Sequence, residues 1–205
     1  MGSNTLREKA AKTAIQLVHS KNTLVKERVG GLFVGAQIIT EAQDGVEKIR
    51  DIVKTHCGKE DYKPIIMSDF ENGCGSMIEG LTPLPFLMSL GACNDKKLAY
   101  DYGKATALEA VSAGANASFS PVCDLNINPR NPLVNVRSVS DDPDVAIPIL
   151  KEIIRGMQEN GLAACAKHFP GDGVDWRDQH IITSCNSLSM DEWYKNYGRV
   201  YNAVI

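Results

Sequence analysis

LAACAKHFPGDGVDWRDQH, residues 162–180, runs a short apolar stretch straight into Lys167, His168, Asp172, Asp175, Arg177, Asp178 and His180, with two glycines and a proline between them. Gly161, just before it, is a helix stop. An apolar run of strand length that ends in charged residues reads as a buried strand delivering functional groups at its C-terminal end. The same pattern recurs upstream. GGLFVG (residues 30–35), PIIM (64–67) and ANASFSPV (115–122) are strand candidates, and polar residues follow two of them: Asp69 with Glu71, and Asp124 with Asn126.

Helical segments separate these runs. Residues 6–18 place Ala10, Ala14, Ile15 and Val18 at helical spacing, and 38–56 does the same with Ile39, Val46, Ile49, Ile52 and Val53. Asn94 or Asp95 caps a helix that Gly114 ends. Asp142 followed by Pro143 opens another, and Ser189-Met190-Asp191-Glu192 is a capping box for one starting near Met190. Apolar strands bracketed by helices imply a parallel sheet covered on both faces, in one α/β domain spanning 1–205. An open doubly wound sheet and a (β/α)8 barrel both satisfy that pattern. No glycine-rich dinucleotide fingerprint follows the first strand. Polar residues at three strand ends favour the barrel, whose sites lie there.

The composition is 43% hydrophobic and 23% charged, with net charge -3. There is no basic stripe for nucleic acid, no apolar run of membrane-spanning length and no signal-peptide pattern in MGSNTLREKAAK. A cytoplasmic protein is the expectation. None of the six cysteines forms a C-x-x-C pair, and Cys123 and Cys165, in apolar runs, read as reduced buried thiols. Taken alone, Asp124 and Asn126 read as caps of the next turn, Arg137 as a surface partner of Asp141 or Asp142, and Asp178 with His180 as a solvated pair. Asp172, Asp175, Asp178 and His180 are metal-compatible ligand types, but their spacing fits no metal motif, so no metal or other cofactor is expected.

KHFPGDGVDWRDQH resembles the signature of family 3 glycoside hydrolases, most closely the β-N-acetylglucosaminidase branch, which reads K-H-F/I-P-G-x-G-x-x-x-x-D-S-H. Lys167, His168, Phe169, Pro170, Gly171, Gly173, Asp178 and His180 match at the right spacing, and Gln179 replaces the serine. PIIMSDFENG resembles the strand that ends in D-Q-E-G-G, matching Asp69 and Glu71. NVRSVSDDP resembles E-R-S-F-x-x-D-P, matching Arg137. The arginine after the paired glycines is Cys74 here, and the residue between the signature glycines, often histidine, is Asp172.

The resemblance implies a barrel that hydrolyses terminal β-linked N-acetylhexosamine. It implies His180 as acid/base held by Asp178, with Asp69, Arg137, Lys167 and His168 binding sugar hydroxyls and the P-G-x-G segment folding over the sugar. It also implies a nucleophilic aspartate at the end of a later strand. After His180 only Asp191 remains, inside the capping box, so the nucleophile is expected beyond these residues, and 205 residues fall short of a full eight-unit barrel. Open barrel edges would invite self-association. The expected partner is a small carbohydrate, with neither nucleic acid nor membrane. A glycoside phosphorylase and a non-catalytic sugar-binding fragment are the competing readings.

Overall fold

The computed structural model describes residues 5–18, 29–34, 47, 50, 51, 54 and 64–205. Strands β1 (Ile15–Val18), β2 (Gly31–Val34), β3 (Ile65–Ser68), β4 (Ala117–Ser118) and β5 (Ala163–Ala164) form one sheet. Every pairing is parallel and the spatial order equals the chain order. A doubly wound sheet reverses its strand order at a switch point, whereas sequential parallel neighbours with helical crossovers build a barrel wall. The fold is therefore of the β/α-barrel type.

Helix α1 (Leu6–Ala11) opens on a capping box between Thr5 and Glu8. The periodicity of 6–18 predicts one helix, but the chain leaves the helix after Ala11 and becomes β1. Ile15 pairs with Gly31 and Leu17 with Phe33, so sheet pairing overrides the local helical spacing. The helix expected over 38–56 lies mostly outside the described residues; 47, 50, 51 and 54 are helical.

Further along are α2 (Met88–Cys93), α3 (Lys96–Ser112) and α4 (Pro143–Glu159). Asp95 caps α3 through the N–H groups of Lys97 and Leu98, and Gly114 follows its end with φ +97°. Asp142 caps α4 with Pro143 in its first turn, and Ala146, Ile149, Leu150, Ile153 and Met157 form its buried stripe. The two long helices cross at Gly103 and Gly156, where a Cβ would stand 2.1 Å from the Ile153 carbonyl oxygen and 2.3 Å from that of Tyr100. Among the described residues no helix is long and apolar enough to cross a membrane.

Strands β4 and β5 are shorter than the runs 115–122 and 162–169 suggest. Pro121 has no N–H to give to a ladder. The two chains nevertheless stay side by side: Cys165 N–H donates to the Ser120 carbonyl, Cys123 N–H to the Lys167 carbonyl, and Val122 bridges Lys167. Cys123 is buried as expected but Cys165 is exposed, because β5 is the last strand of the described sheet.

The chain ends in α5 (Met190–Trp193), a π-helical turn at Tyr194–Gly198, and α6 (Arg199–Val204). The capping box at Ser189 and Glu192 forms as the sequence indicates.

Candidate active site

The ends of β3, β4 and β5 set the site. After β3, Phe70 is buried, its N–H donating to Ser118 Oγ and its carbonyl accepting from Ser120 Oγ. That fixes the flanking residues Asp69 and Glu71. The Glu71 carbonyl is held further by the Tyr102 hydroxyl at 3.0 Å. After β5, Lys167 Nζ donates to Asp69 Oδ1 at 2.7 Å and lies 2.5 Å from Glu71 Oε1. Arg137, on a 3-10 turn at Asn135–Arg137, meets Glu71 with two parallel bonds, Nε to Oε2 and Nη2 to Oε1, both 2.7 Å. This planar fork is the strong geometry for guanidinium and carboxylate. Arg137 thus pairs across the sheet mouth with Glu71, not with its neighbours Asp141 and Asp142.

Burial opposes the charge on Glu71, but the Arg137 bonds and the Lys167 ammonium outweigh it and hold its pKa below the usual carboxylate range. Two of the three Lys167 donors are occupied, and Arg137 uses three of its five on Glu71 and the Leu133 carbonyl and a fourth toward His168 Nε2. Each cation keeps donor capacity for a ligand.

Asp124, at the end of the β4 run, is not a simple turn cap. Its side chain has 0% exposure and its Oδ2 takes His168 Nδ1 at 2.6 Å. The opposite imidazole nitrogen, Nε2, stands 3.4 Å from Arg137 Nη2. Asp69, Arg137, Lys167 and His168, drawn from segments far apart in the chain, therefore share one network, and Glu71 and Asp124 are its hubs.

The glycines of the P-G-D-G turn provide close packing, and Gly171 also takes a φ of +118°. A Cβ on Gly171 would stand 2.6 Å from the Tyr197 ring, and one on Gly173 would stand 1.8 Å from the Leu125 carbonyl oxygen. Gly173 N–H donates to Tyr197 Oη, which donates to the Leu125 carbonyl, both at 3.0 Å. Buried Asn131 ties this turn to the Arg137 turn. Its amide nitrogen donates to the carbonyls of Asp172 and Asp175, and its oxygen accepts from Leu133 and Val134 N–H. Sequence reasoning did not single out Asn131; an asparagine between two prolines in NINPRNP was the available signal.

Beyond the turn, Asp175 binds Arg177 side on and accepts from Cys185 N–H, closing the loop. These bonds, those from Arg177 first, hold its pKa well below the ordinary value. Among the described residues no group of His, Cys, Asp or Glu stands in a metal-binding arrangement.

Asp178 Oδ1 accepts from both the N–H and Nδ1 of His180, at 2.8 Å each. Those bonds lower the Asp178 pKa, the backbone bond contributing most. This pair is at the open tip of the loop, with 70% of the His180 side chain exposed against 29% for His168. Burial, then the Asp124 charge, raises the Asp172 pKa, and both imidazoles act against that shift. Trp176, in the same loop, is 69% exposed.

The family model described as Glycosyl hydrolase family 3 N terminal domain matches residues 5–205. A beta-N-acetylglucosaminidase/beta-glucosidase from Cellulomonas fimi is 37% identical over 141 residues, 69% of this chain and 25% of that one. The solved structure of a beta-glucoside phosphorylase, BglX, superposes with TM-score 0.89 at 30% identity, over 98% of this chain and 36% of that one. A family 3 beta-N-acetylglucosaminidase from Paenibacillus sp. superposes equally, with TM-score 0.89 at 25% identity, over 99% of this chain and 40% of that one. The chain thus spans well under half the length of these relatives. With a sequential parallel sheet and its charged groups gathered at the strand ends, and with the match running from residue 5 to residue 205, the chain belongs to glycosyl hydrolase family 3 as an N-terminal domain.

Proposed function

We propose that the site binds a terminal β-linked N-acetylhexosamine or related β-glycoside, and that the full-length protein hydrolyses it with retention of configuration. One observation carries this reading: Asp69, Glu71, Asp124, Arg137, Lys167 and His168 form a single network at the strand ends, and the loop that follows Lys167 and His168 carries the His180–Asp178 pair. Charged donors and acceptors held in fixed directions suit a ligand whose surface is mostly hydroxyl groups.

In this reading Asp178 accepts a hydrogen bond from Nδ1–H of His180 and stays ionised, while the proton on Nε2 passes to the glycosidic oxygen and is replaced by one from the attacking water. The oxocarbenium-like centre requires a carboxylate on the opposite face. Asp69, Glu71 and Asp124 are each committed to a cation or an imidazole. The family resemblance implies an aspartate at a later strand end, outside these residues, and this reading assigns the nucleophile to it. The test is release of aryl alcohol from an aryl β-N-acetylglucosaminide by the full-length protein, with NMR showing the β-anomer first. A folded full-length protein without turnover ends this reading.

The likeness to a beta-glucoside phosphorylase favours one alternative, transfer of the glycosyl group to phosphate. An imidazole acid repels an incoming phosphate less than a second carboxylate would. Accumulation of sugar 1-phosphate in phosphate buffer, with little turnover in its absence, selects that alternative.

A further inference from the structure

The tip that carries Asp178 and His180 bonds to itself. The Asp178 carbonyl accepts from Ile181 and Ile182 N–H at 3.0 Å each, and its Oδ1 takes the N–H and the ring of His180. Among the described residues, the hydrogen bonds of 178–182 all stay inside this tip. Ile181 is 85% exposed and Ile182 54%, so apolar packing does not seat it either. Its position is therefore set by its two ends, and one side chain joins them. Asp175 is buried, and four N–H groups converge on its carboxylate. Arg177 gives its backbone N–H to Oδ1 at 3.1 Å, Nε to both oxygens at 3.0 Å and Nη2 to Oδ2 at 2.6 Å, and Cys185 N–H meets Oδ2. Several charge-assisted bonds on a shielded carboxylate hold a geometry that an exposed ion pair does not. Joining the ends of a flexible segment removes the conformations in which they drift apart. The clasp is anchored in turn. The Asp175 carbonyl accepts from Asn131 Nδ2 at 2.7 Å, Asn131 Oδ1 accepts from Leu133 N–H, and the Leu133 carbonyl accepts from Arg137 Nη1. A chain of bonds thus runs from the base of the loop to Arg137 in the network.

We propose that Asp175 is the positioning residue of the acid/base loop: by clasping Arg177 and the Cys185 N–H it fixes where His180 presents its imidazole, and so governs proton delivery to the leaving group without touching the sugar. The inference rests on the acid/base reading of His180 above. It separates two tasks in one loop. The residues before Asp175 belong to the sugar-binding network, and those it encloses serve the bond being broken. A misplaced acid slows only those substrates that need its proton.

The test uses the full-length protein as wild type, Asp175→Ala, His180→Ala and the double variant. Each is assayed, with and without phosphate, on an alkyl β-N-acetylglucosaminide, which needs the proton, and on an activated aryl one, which needs it little. Inhibition by N-acetylglucosamine reports sugar affinity, and thermal unfolding checks the fold. Asp175→Ala should lower kcat on the alkyl substrate about 10- to 100-fold, and leave the aryl rate and the sugar affinity within about threefold of wild type. In the His180→Ala background the same change should cost nothing further, because the clasp acts only through that imidazole. Equal losses on the two substrates, weakened sugar affinity with kcat unchanged, or a double variant slower than His180→Ala by the full factor each overturn the proposal. If Asp175→Ala does not fold, Arg177→Leu, which spares the Cys185 bond, is judged by the same pattern. Wild-type turnover with the wrong pattern in the variants sinks the clasp alone. Folded wild-type protein without turnover on either substrate sinks the hydrolase reading and the clasp with it.

Discussion

A single oxygen of Asp124, Oδ2, accepts both the backbone N–H of His168 at 3.0 Å and its ring Nδ1 at 2.6 Å. The other oxygen takes the N–H of Asp172. One buried carboxylate therefore sets the tautomer of an imidazole and the path of the turn that follows it. Asp124→Asn replaces charge-assisted bonds with neutral ones and offers an amide N–H where only acceptors fit. The expected loss of stability is about 2–3 kcal/mol, measured by urea unfolding. An unchanged midpoint would show that the turn is held elsewhere.

Glu71 predicts a pH dependence. Its folded pKa is depressed, so its stabilising contribution is complete above the ordinary carboxylate range and is lost as pH falls through the depressed value. Glu71→Gln should be less stable than wild type at pH 7, and the gap should narrow in acid. A gap independent of pH between 2 and 6, measured by thermal unfolding, would contradict the ionic account.

Asp172 has the opposite sign. Its folded pKa is raised, so the folded state holds the proton more tightly, and the resulting stabilisation is present in acid and lost as pH rises through the raised value. The stability of Asp172→Asn relative to wild type should therefore climb between pH 4 and pH 8. A flat or falling difference would place the carboxyl in an environment that favours its charge.

Two glycines should respond very differently to alanine. At Gly173 a Cβ collides with the Leu125 carbonyl and the Tyr197 hydroxyl, whereas at Gly80 nothing lies within 4 Å and only the positive φ of +86° is strained. Gly173→Ala should cost about 3 kcal/mol or more and Gly80→Ala about 1 kcal/mol. Equal melting temperatures for the two variants would refute the close packing of the turn.

The acid/base reading predicts a leaving-group effect. His180→Ala should lose about 100-fold or more on substrates with poor leaving groups and much less on activated aryl glycosides, which need little proton assistance. Equal losses on both would remove the proton-transfer role. Asp178→Asn should shift the pH profile of kcat/KM, since it replaces the acceptor of both His180 bonds.

What the sequence revealed followed the range of each signal. Caps and stops are local, and Asp95, Asp142, Gly114, Gly161 and Ser189 act where they stand in the chain. Strand ends were readable because an apolar run must stop where polar groups begin, which drew attention to Asp69, Lys167 and His168. Strand β1 was not readable: its apolar residues fit a helix, and only pairing with β2 decides otherwise. The partner of Arg137 is 66 positions away, so neighbouring Asp141 and Asp142 looked the better choices. Asp124 had a plausible local role as a cap, and only packing shows it buried beneath an imidazole.

Tyr197 reaches from the π-helical turn to bind Gly173 N–H and the Leu125 carbonyl with one hydroxyl. The π-helical turn is thus a bolt through two site loops rather than an outlying appendage. Anyone choosing positions there for a dye, a tag or attachment to a support should expect the alteration to be felt at the strand tips.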